Sequence, residues 1–175
     1  LLSFAKKIFL AKPIKNFPKK YEKKICEVGP ILNKKIINSK NVYENKQNEN
    51  FSILVLGGSQ GAEIFGTIIP PAIKMLKDKG YTIKIQQQCI SNQKSKIVDY
   101  YNVNNIENYV FEFKKDILEL IYSSDLAITR SGASTTDELV YTRTPFITVP
   151  LPNSIDNHQY LNAKFYTDKG YCLML

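Results

Sequence analysis

A glycine-rich stretch, GGSQGA at residues 57–62, separates the apolar run FSILVL from a run with helical periodicity. Gly57, Gly58 and Gly61 permit a sharp turn and let backbone N–H groups approach a ligand closely. The N-terminus of the following helix would present the positive end of its dipole at the same place. The stretch therefore favours a phosphate-binding site, although the same glycines could serve only tight packing. It is neither a Walker A loop nor a Gly-x-Gly-x-x-Gly fingerprint.

A second polar loop, RSGASTTDE, occupies residues 130–138. Gly132 permits the turn, and either Ser134 or Thr135 could cap the next helix, with one of the two following acidic residues completing a capping box. In a functional interpretation, backbone amides at this helix start meet a diphosphate. Glu138, one turn further on, would then accept hydrogen bonds from both hydroxyls of a ribose. The two interpretations are compatible, because different residues would carry them.

The third loop is PLPNSIDNHQYLNA, residues 150–163. Asp156 and Gln159 form an N-terminal capping pattern, whereas Asn157, His158 and Gln159 could instead reach sugar hydroxyls. His158 is the single histidine of the sequence. Because it falls in the first turn of a helix, we expect a solvated or capping residue rather than a catalytic base.

A nicotinamide-dependent reductase is an alternative, because Tyr160 and Lys164 match the Tyr-x-x-x-Lys pair of short-chain reductases. Two fixed positions arise readily by chance in a chain rich in Tyr and Lys. A nicotinamide site also needs an acidic residue at the end of the second strand to bind the ribose diol. That strand ends in Gln86, Gln87 and Gln88, so the sequence disfavours NAD(P) binding.

Strands and helices alternate from Phe51 onward, and this pattern must position the three loops. The runs FSILVL, YTIKIQQQ, NYVFEF, DLAIT, PFITV and YCLML predict strands. The predicted helices are residues 63–77, 91–101, 116–124, 134–142 and 156–170. Such alternation predicts an α/β fold with a doubly wound, Rossmann-like parallel sheet. Ligands of these sheets bind beyond the carboxyl ends of the strands, where all three loops fall.

The first 50 residues do not have the pattern of a domain. Leu1, Leu2, Phe4, Ile8 and Phe9 fall on one helical stripe that ends at a proline, and KICEV predicts a short strand. The polar stretch NSKNVYENKQNEN then predicts a linker. We therefore expect residues 1–50 to be the tail of a preceding N-terminal domain plus a linker, and residues 51–175 to be the ligand-binding domain, truncated at its C-terminus.

Composition limits the classes of function. Lys plus Arg outnumber Asp plus Glu by 24 to 16, a formal charge of +8, which suits an anionic partner but also a merely solvated surface. Three widely spaced cysteines without a Cys-x-x-Cys pair support neither a disulfide framework nor a zinc site, and they fit a reducing cytoplasm. No apolar run is long enough to span a bilayer. We expect a soluble or peripheral protein.

Taken in order, LGGSQGA, RSGAST with Glu138, and PLPNSIDNHQYLNA resemble the motifs of the MurG family, over about residues 17–175. These bacterial peptidoglycan glycosyltransferases move N-acetylglucosamine (GlcNAc) from UDP-GlcNAc onto undecaprenyl-diphospho-muramoyl-pentapeptide, converting lipid I to lipid II. The resemblance implies a GT-B enzyme, with two Rossmann-like domains and an active site in the cleft between them. This chain would be the C-terminal, donor-binding half.

The resemblance also implies a set of donor-binding residues. Ser59 would contact the diphosphate, Glu138 the ribose diol, and Gln159 the GlcNAc hydroxyls, with Asp156 and Asn157 beside it. Lys114, after Phe113, stands where the family commonly frames the uracil with isoleucine. The full set is Gly58, Ser59, Gln60, Gly61, Lys114, Ala133, Ser134, Thr135, Thr136, Asp137, Glu138, Asp156, Asn157 and Gln159.

The resemblance places the catalytic base and the acceptor loop in the other domain, so we expect no catalytic residue here and no turnover by the chain alone. It implies no cofactor and no metal, consistent with the lack of an Asp-x-Asp motif. It implies lipid I as acceptor, at the cytoplasmic side of the bacterial inner membrane, and no nucleic acid partner. Residues 29–33, GPILN, lack the family's donor-binding arginine, unless Lys34 or Lys35 replaces it. A nucleotide-sugar binding fragment without activity is a further alternative.

Overall fold

A computed structural model describes residues 2–14, 17–32, 34–38, 50–152 and 154–175, with the backbone alone for residues 59–62. The early part of the chain forms a small parallel pair of strands, β1 (Ile8–Leu10) and β2 (Ile25–Glu27). A 3-10 helix, Lys19–Lys24, leads into β2, and a short helix, α1 (Lys34–Asn38), follows it.

The predicted opening helix is wrong. Residues 2–4 form a turn, and Ile8–Leu10 are extended because their backbone pairs with Ile25–Glu27. The apolar stripe does not form a buried helix face, since Phe4 and Phe9 are exposed. Leu1 and most of the predicted linker lie outside the described residues.

Six further strands form one parallel sheet. They are β3 (Phe51–Leu56), β4 (Ile83–Gln88), β5 (Glu107–Phe111), β6 (Leu126–Thr129), β7 (Phe146–Thr148) and β8 (Leu173–Met174). Their order across the sheet is β5-β4-β3-β6-β7-β8. The chain thus builds outward from β3 in one direction and then restarts at β6 on the other side of β3. This is the strand order of the doubly wound dinucleotide-binding fold, and it confirms the predicted fold class.

Helices cover both faces of the sheet. They are α2 (Gly58–Asp78), α3 (Lys94–Val103), α4 (Leu118–Ser123), α5 (Ala133–Tyr141) and α6 (His158–Thr167), with 3-10 helices at Ser91–Gln93 and Ile155–Asn157. The predicted helices are all present. The largest difference is at α2, which begins at Gly58 rather than at Glu63, because the glycine-rich stretch itself winds into the first turn.

The apolar run of β3 explains why the sheet is buried on both sides. Ile53 and Val55 pack with Phe65 of α2 and Tyr101 of α3 in one core. Successive side chains of a strand point to opposite faces. Leu54 and Leu56 accordingly pack in a second core with buried residues of the other three helices, namely Ile121 of α4, Leu139 of α5 and Tyr166 of α6.

The three glutamines that end β4 have structural partners. Gln86 is buried and its Nε2 donates to Ser52 Oγ at 3.0 Å. Gln87 is also buried, donating to Phe65 O at 3.1 Å and accepting a hydrogen bond from the Tyr101 hydroxyl. Buried polar groups are tolerated when they are hydrogen-bonded in this way. Gln86 and Gln87 therefore belong to the core.

No helix among the described residues combines the length and the apolar character that crossing a membrane requires.

Candidate functional site

The three polar loops follow the carboxyl ends of three adjacent strands in the middle of the sheet. Leu56 of β3 pairs with Thr129 of β6, and Thr129 pairs with Thr148 of β7, so these strands end in register. Two hydrogen bonds extend the register, from Arg130 N to Leu56 O at 3.2 Å and from Val149 N to Thr129 O at 2.8 Å. The loops therefore start side by side at the switch point of the sheet, where doubly wound folds bind ligands.

The turn after β3 depends on Gly58. Its φ is +67°, a region that side-chain-bearing residues rarely adopt, although a Cβ would meet nothing within 4 Å. Gly57 has an ordinary φ of −81°. The backbone of residues 58–62 then forms the first turn of α2, whose N–H groups have no helical acceptors and point toward the loop edge. This geometry suits an anion.

Gly132 differs from the expectation that it permits the turn after β6. Its φ of −65° and ψ of 138° are open to any residue, and a Cβ there would meet nothing within 4 Å. Nothing in this backbone requires glycine.

Arg130 is a residue that the sequence analysis did not single out. Its Nη1 donates to Val149 O at 3.1 Å and Pro150 O at 3.2 Å, and the guanidinium lies 5.0 Å from the centre of the Phe65 ring. Burial lowers the pKa of this guanidinium from its ordinary value. Arg130 thus holds the loops after β6 and β7 against α2. The sequence offers one indication of Arg130, its residue type, because only two of the 24 basic residues are arginines.

The predicted capping box at α5 is wrong. The helix begins at Ala133, the N-cap is Gly132, and the N-cap makes no side-chain hydrogen bond. Thr136 is fully buried, and its hydroxyl donates back to Gly132 O at 2.9 Å and Ala133 O at 3.0 Å. Ser131 Oγ bonds Thr148 Oγ1 at 2.6 Å, which ties the loop to β7.

The six expected nucleotide contacts of α5 differ in accessibility. Ala133 and Ser134 are exposed at the start of the helix, and Thr135 and Glu138 are half-buried. Thr136 and Asp137 are buried. The exposed helix start and Glu138 are therefore accessible to a ligand, whereas Thr136 faces its own helix.

Glu138 and Asp137 have different surroundings. Burial raises the pKa of Glu138, and the neighbouring charge of Asp137 raises it further. Asp137 has partners within the protein, an ion pair with Lys12 at 2.9 Å and a hydrogen bond from the Tyr166 hydroxyl. Burial, the hydrogen bond to Asp137 and the charge of Asp137 raise the pKa of Tyr166, so the phenol remains protonated.

The third loop contains two consecutive residues in the left-handed region. Asp156 has a φ of 51° and Asn157 a φ of 53°. Asn and Asp tolerate this region better than most residues, but it still costs energy and recurs at functional sites. The predicted cap formed by Asp156 is wrong, because Ser154 Oγ accepts the Gln159 N–H instead, at 3.3 Å.

Gln159 and His158 begin α6. Gln159 Oε1 accepts the backbone N–H of Leu151 at 3.0 Å, so this side chain shapes the approach from β7. His158 is exposed, and its Nδ1 lies 2.7 Å from Ile155 O. That contact agrees with a solvated residue of the first turn.

Lys114 lies after β5, two strands away from β3. Its Nζ is 3.3 Å from a carboxylate oxygen of Glu119, and Phe113 beside it is exposed. Asn33 lies outside the described residues. Lys35, a candidate to replace the missing arginine, is ion-paired with Asp116 at 2.9 Å.

Two of the residues weighed for and against a nicotinamide site have partners within the protein. Gln88, at the end of β4, donates to Glu112 O at 3.1 Å. Lys164 pairs with Asp168 at 3.1 Å, one turn along α6. Within the described ranges, His, Cys, Asp and Glu side chains form no group of three or more that could hold a metal ion.

A doubly wound sheet with anion-suited helix starts at its switch point defines a Rossmann-like α/β domain, a class that commonly binds nucleotides. The sequence profile of the glycosyltransferase family 28 C-terminal domain matches residues 52–175, and the chain belongs to this family.

The chain is similar to named members of the family. It is 42% identical to the UDP-N-acetylglucosamine–N-acetylmuramyl-(pentapeptide) pyrophosphoryl-undecaprenol N-acetylglucosamine transferase of Rickettsia canadensis (strain McKiel), over 98% of this chain and 50% of the relative. It is 39% identical to the protein of the same name from Pelagibacter ubique (strain HTCC1062), over 99% of this chain and 48% of the relative. The crystal structure of Acinetobacter baumannii MurG superposes with a TM-score of 0.77 at 28% identity, covering 98% of this chain and 47% of that one. These matches confirm the predicted resemblance to the MurG family, and the chain spans about half the length of these relatives.

Proposed function

We propose that this chain is the donor-binding half of an inverting glycosyltransferase that transfers GlcNAc from UDP-GlcNAc to undecaprenyl-diphospho-MurNAc-pentapeptide, converting lipid I to lipid II. Through this reaction it would serve peptidoglycan synthesis, and hence cell shape and division. The observation that carries the proposal is the position of the three donor motifs, which follow the adjacent strands β3, β6 and β7 at the switch point of the sheet.

In this proposal, residues 58–61 (GSQG) at the start of α2 bind the diphosphate. The amides of that helix start, which lack helical acceptors, and the dipole behind them stabilise the charge that develops on UDP as it leaves. Ala133 and Ser134 offer a second helix start to the same nucleotide. Glu138 accepts the ribose hydroxyls.

The donor sugar would lie between β7 and α6. Asp156, Asn157 and Gln159 reach its hydroxyls. Lys114 lies toward the uracil of the nucleotide. The acceptor hydroxyl attacks the anomeric carbon in a single displacement, and a base from the remaining half of the enzyme removes its proton. Residues 1–50 would be the end of that half and its linker.

The acceptor is lipid-linked, so the complete enzyme would work as a peripheral protein at the cytoplasmic side of the inner membrane. A nucleic acid partner has no role in this chemistry. We attribute the formal charge of +8 to the lysine-rich surface.

Calorimetric titration of the chain with UDP, UDP-GlcNAc and NADPH tests the donor assignment. We expect weak, saturable binding of both uridine ligands, because the donor loops are present without the domain that would close over them. Saturable heat with NADPH and none with either uridine ligand would instead support the reductase.

Activity is tested by joining the chain to the N-terminal half of one of its relatives. The fusion is expected to transfer GlcNAc to lipid I, and the unfused chain is not. His158→Asn in the fusion should lower the rate only modestly. Transfer by the unfused chain, or total loss in that variant with donor binding intact, would place the base in this domain.

A further inference from the structure

A nearly buried ion pair joins the early segment of the chain to helix α5. Lys12, which lies just beyond β1, has its Nζ 2.9 Å from Asp137 Oδ1, and the two side chains retain 14% and 7% of their exposure. In every other ion pair among the described residues, both side chains are at least 26% exposed. Burial of two charges is costly and requires a well-formed set of partners.

Helix α6 supplies those partners. The Tyr166 hydroxyl donates to the same Oδ1 atom that receives Lys12. The Lys12 ammonium also lies 4.2 Å from the centre of the Tyr166 ring and 5.5 Å from that of Phe165, within the range of cation–π attraction.

The same ammonium connects to the loop that precedes α5. Lys12 Nζ donates to Asn162 Oδ1 at 3.5 Å, and Asn162 Nδ2 donates to Ser131 O at 3.2 Å. Ser131 Oγ in turn bonds Thr148 Oγ1 at 2.6 Å. A continuous path of polar contacts therefore runs from the early segment to the loop between β6 and α5.

We propose that Lys12 is a positioning residue of the donor site, which fixes the loop 130–132 and the start of α5 through its contacts with Asp137 and Asn162. In this role Asp137 fixes the start of α5 through its contacts with Lys12 and Tyr166. It makes no contact with the nucleotide, in contrast to the expectation from the family resemblance. This inference rests on the proposed donor site, and it assigns the early segment a role in nucleotide affinity.

A simple Lys12→Met variant would leave the Asp137 carboxylate buried without its cation, which is strongly destabilising. Lys12→Met combined with Asp137→Asn removes both charges and keeps an acceptor for the Tyr166 hydroxyl. The double variant is therefore expected to melt close to the parent chain. It lacks the ammonium that connects α5 to Asn162, so a merely structural role and a positioning role predict different affinities.

The experiment measures three quantities on the 175-residue chain. They are the melting temperature, the UDP dissociation constant by calorimetry, and the hydrogen-exchange rate of the Thr136 amide, which bonds Gly132 O at 3.0 Å at the start of α5. Lys164→Met is the matched control, because Lys164 is an exposed lysine of α6 in an ion pair with Asp168 at 3.1 Å.

For the double variant we expect a UDP dissociation constant raised about 2- to 30-fold, the range seen for substitutions that act through a connecting network. The Thr136 amide should exchange faster, and the control should match the parent chain in all three measurements. A double variant that both melts and binds UDP as the parent chain does would overturn the proposal. If the parent chain binds no uridine ligand, the proposed function has failed, and an unchanged Thr136 exchange rate in the double variant would then refute the positioning role separately.

Discussion

Replacing Glu138 by glutamine is expected to change folding stability and nucleotide affinity in opposite directions. The carboxylate is half-buried, and both burial and the charge of Asp137 raise its pKa. The folded chain therefore disfavours the ionised form of this group relative to the unfolded chain. Glutamine has nearly the same shape without the charge.

The loss of affinity follows from the hydrogen bonds that the ribose diol would make. A hydrogen bond to a charged group contributes about 1 kcal/mol more than one between neutral groups. Two such bonds amount to about 2 kcal/mol, which corresponds to a UDP dissociation constant roughly 30-fold higher in Glu138→Gln. Calorimetric titration at pH 7 measures this difference directly.

The change in stability depends on pH with a defined sign. The folded state holds the Glu138 proton more tightly than the unfolded chain does, because its pKa is raised. The Glu138 proton therefore stabilises the folded state of the parent chain, fully so below the unfolded pKa of about 4.3. This stabilisation is lost as the pH rises through the folded pKa. Glu138→Gln lacks this loss. Its free energy of unfolding should exceed that of the parent chain at pH 7, and the difference should vanish in acid.

Glu107→Gln is a suitable control, because Glu107 begins the edge strand β5 and so lies at the amino ends of the strands, away from the three loops. Its hydrogen bond from Lys84 is the main cause of a lowered pKa, so this variant should be no more stable than the parent chain at pH 7 and should bind UDP equally well. A Glu138→Gln variant that unfolds more easily than the parent chain and binds UDP with unchanged affinity would refute the donor role. Glu138 would then be a structural residue of α5.

Four further substitutions test the loops. Gly58→Ala should lower the free energy of unfolding by about 1–3 kcal/mol, because Gly58 has a φ of +67°. Gly132→Ala should unfold as the parent chain does, because the φ of Gly132 is −65°. Equal melting temperatures for these two variants would contradict the requirement for glycine at residue 58. Asn157→Gly should raise the free energy of unfolding by up to about 1 kcal/mol, as measured in urea, because glycine relieves the left-handed strain at 53°; a lower value would indicate that the Asn157 side chain contributes more than the strain costs. Gln159→Ala should weaken UDP-GlcNAc binding more than UDP binding, and it should also lower stability by about 1–3 kcal/mol because the Leu151 amide loses its acceptor. Equal losses for the two ligands would remove Gln159 from the sugar site.

The sheet was predictable because its signal is repetitive and local. FSILVL, a continuous apolar run followed by glycine and a helical pattern, indicates a central parallel strand, and this strand is β3. The opening helix was mispredicted because Ile8–Leu10 pair with Ile25–Glu27, a contact that periodicity within a single window does not represent. Tertiary pairing overrode the local pattern there.

The site was predictable as a set of loops and less so as a set of side-chain roles. Glycines and cap-forming residues mark the strand ends, but the sequence does not show which side chains turn inward. Thr136 and Asp137 stand beside Glu138 in one motif, and only the packing of α5 against α6 shows that both are buried. Lys12 is 125 residues from Asp137 in the sequence (137 − 12), so no local pattern predicts their ion pair.

The residues of the two cores are synthesised over different parts of the chain, so one core is complete earlier during translation than the other. The buried members of the core that contains α2 and α3 all lie between Ile53 and Val110, whereas those of the other core extend from Leu54 to Cys172. Because chains emerge from their N-terminus, one face of β3 can be covered before α5 and α6 have emerged. The other face, with Leu54 and Leu56, is covered only in part by α4 and stays incomplete until α5 and α6 have emerged. A nascent chain stalled after α3 and before α6 would present the face with Leu54 and Leu56 to chaperones or to aggregation. The loops after β6 and β7 would be among the last parts of the domain to form.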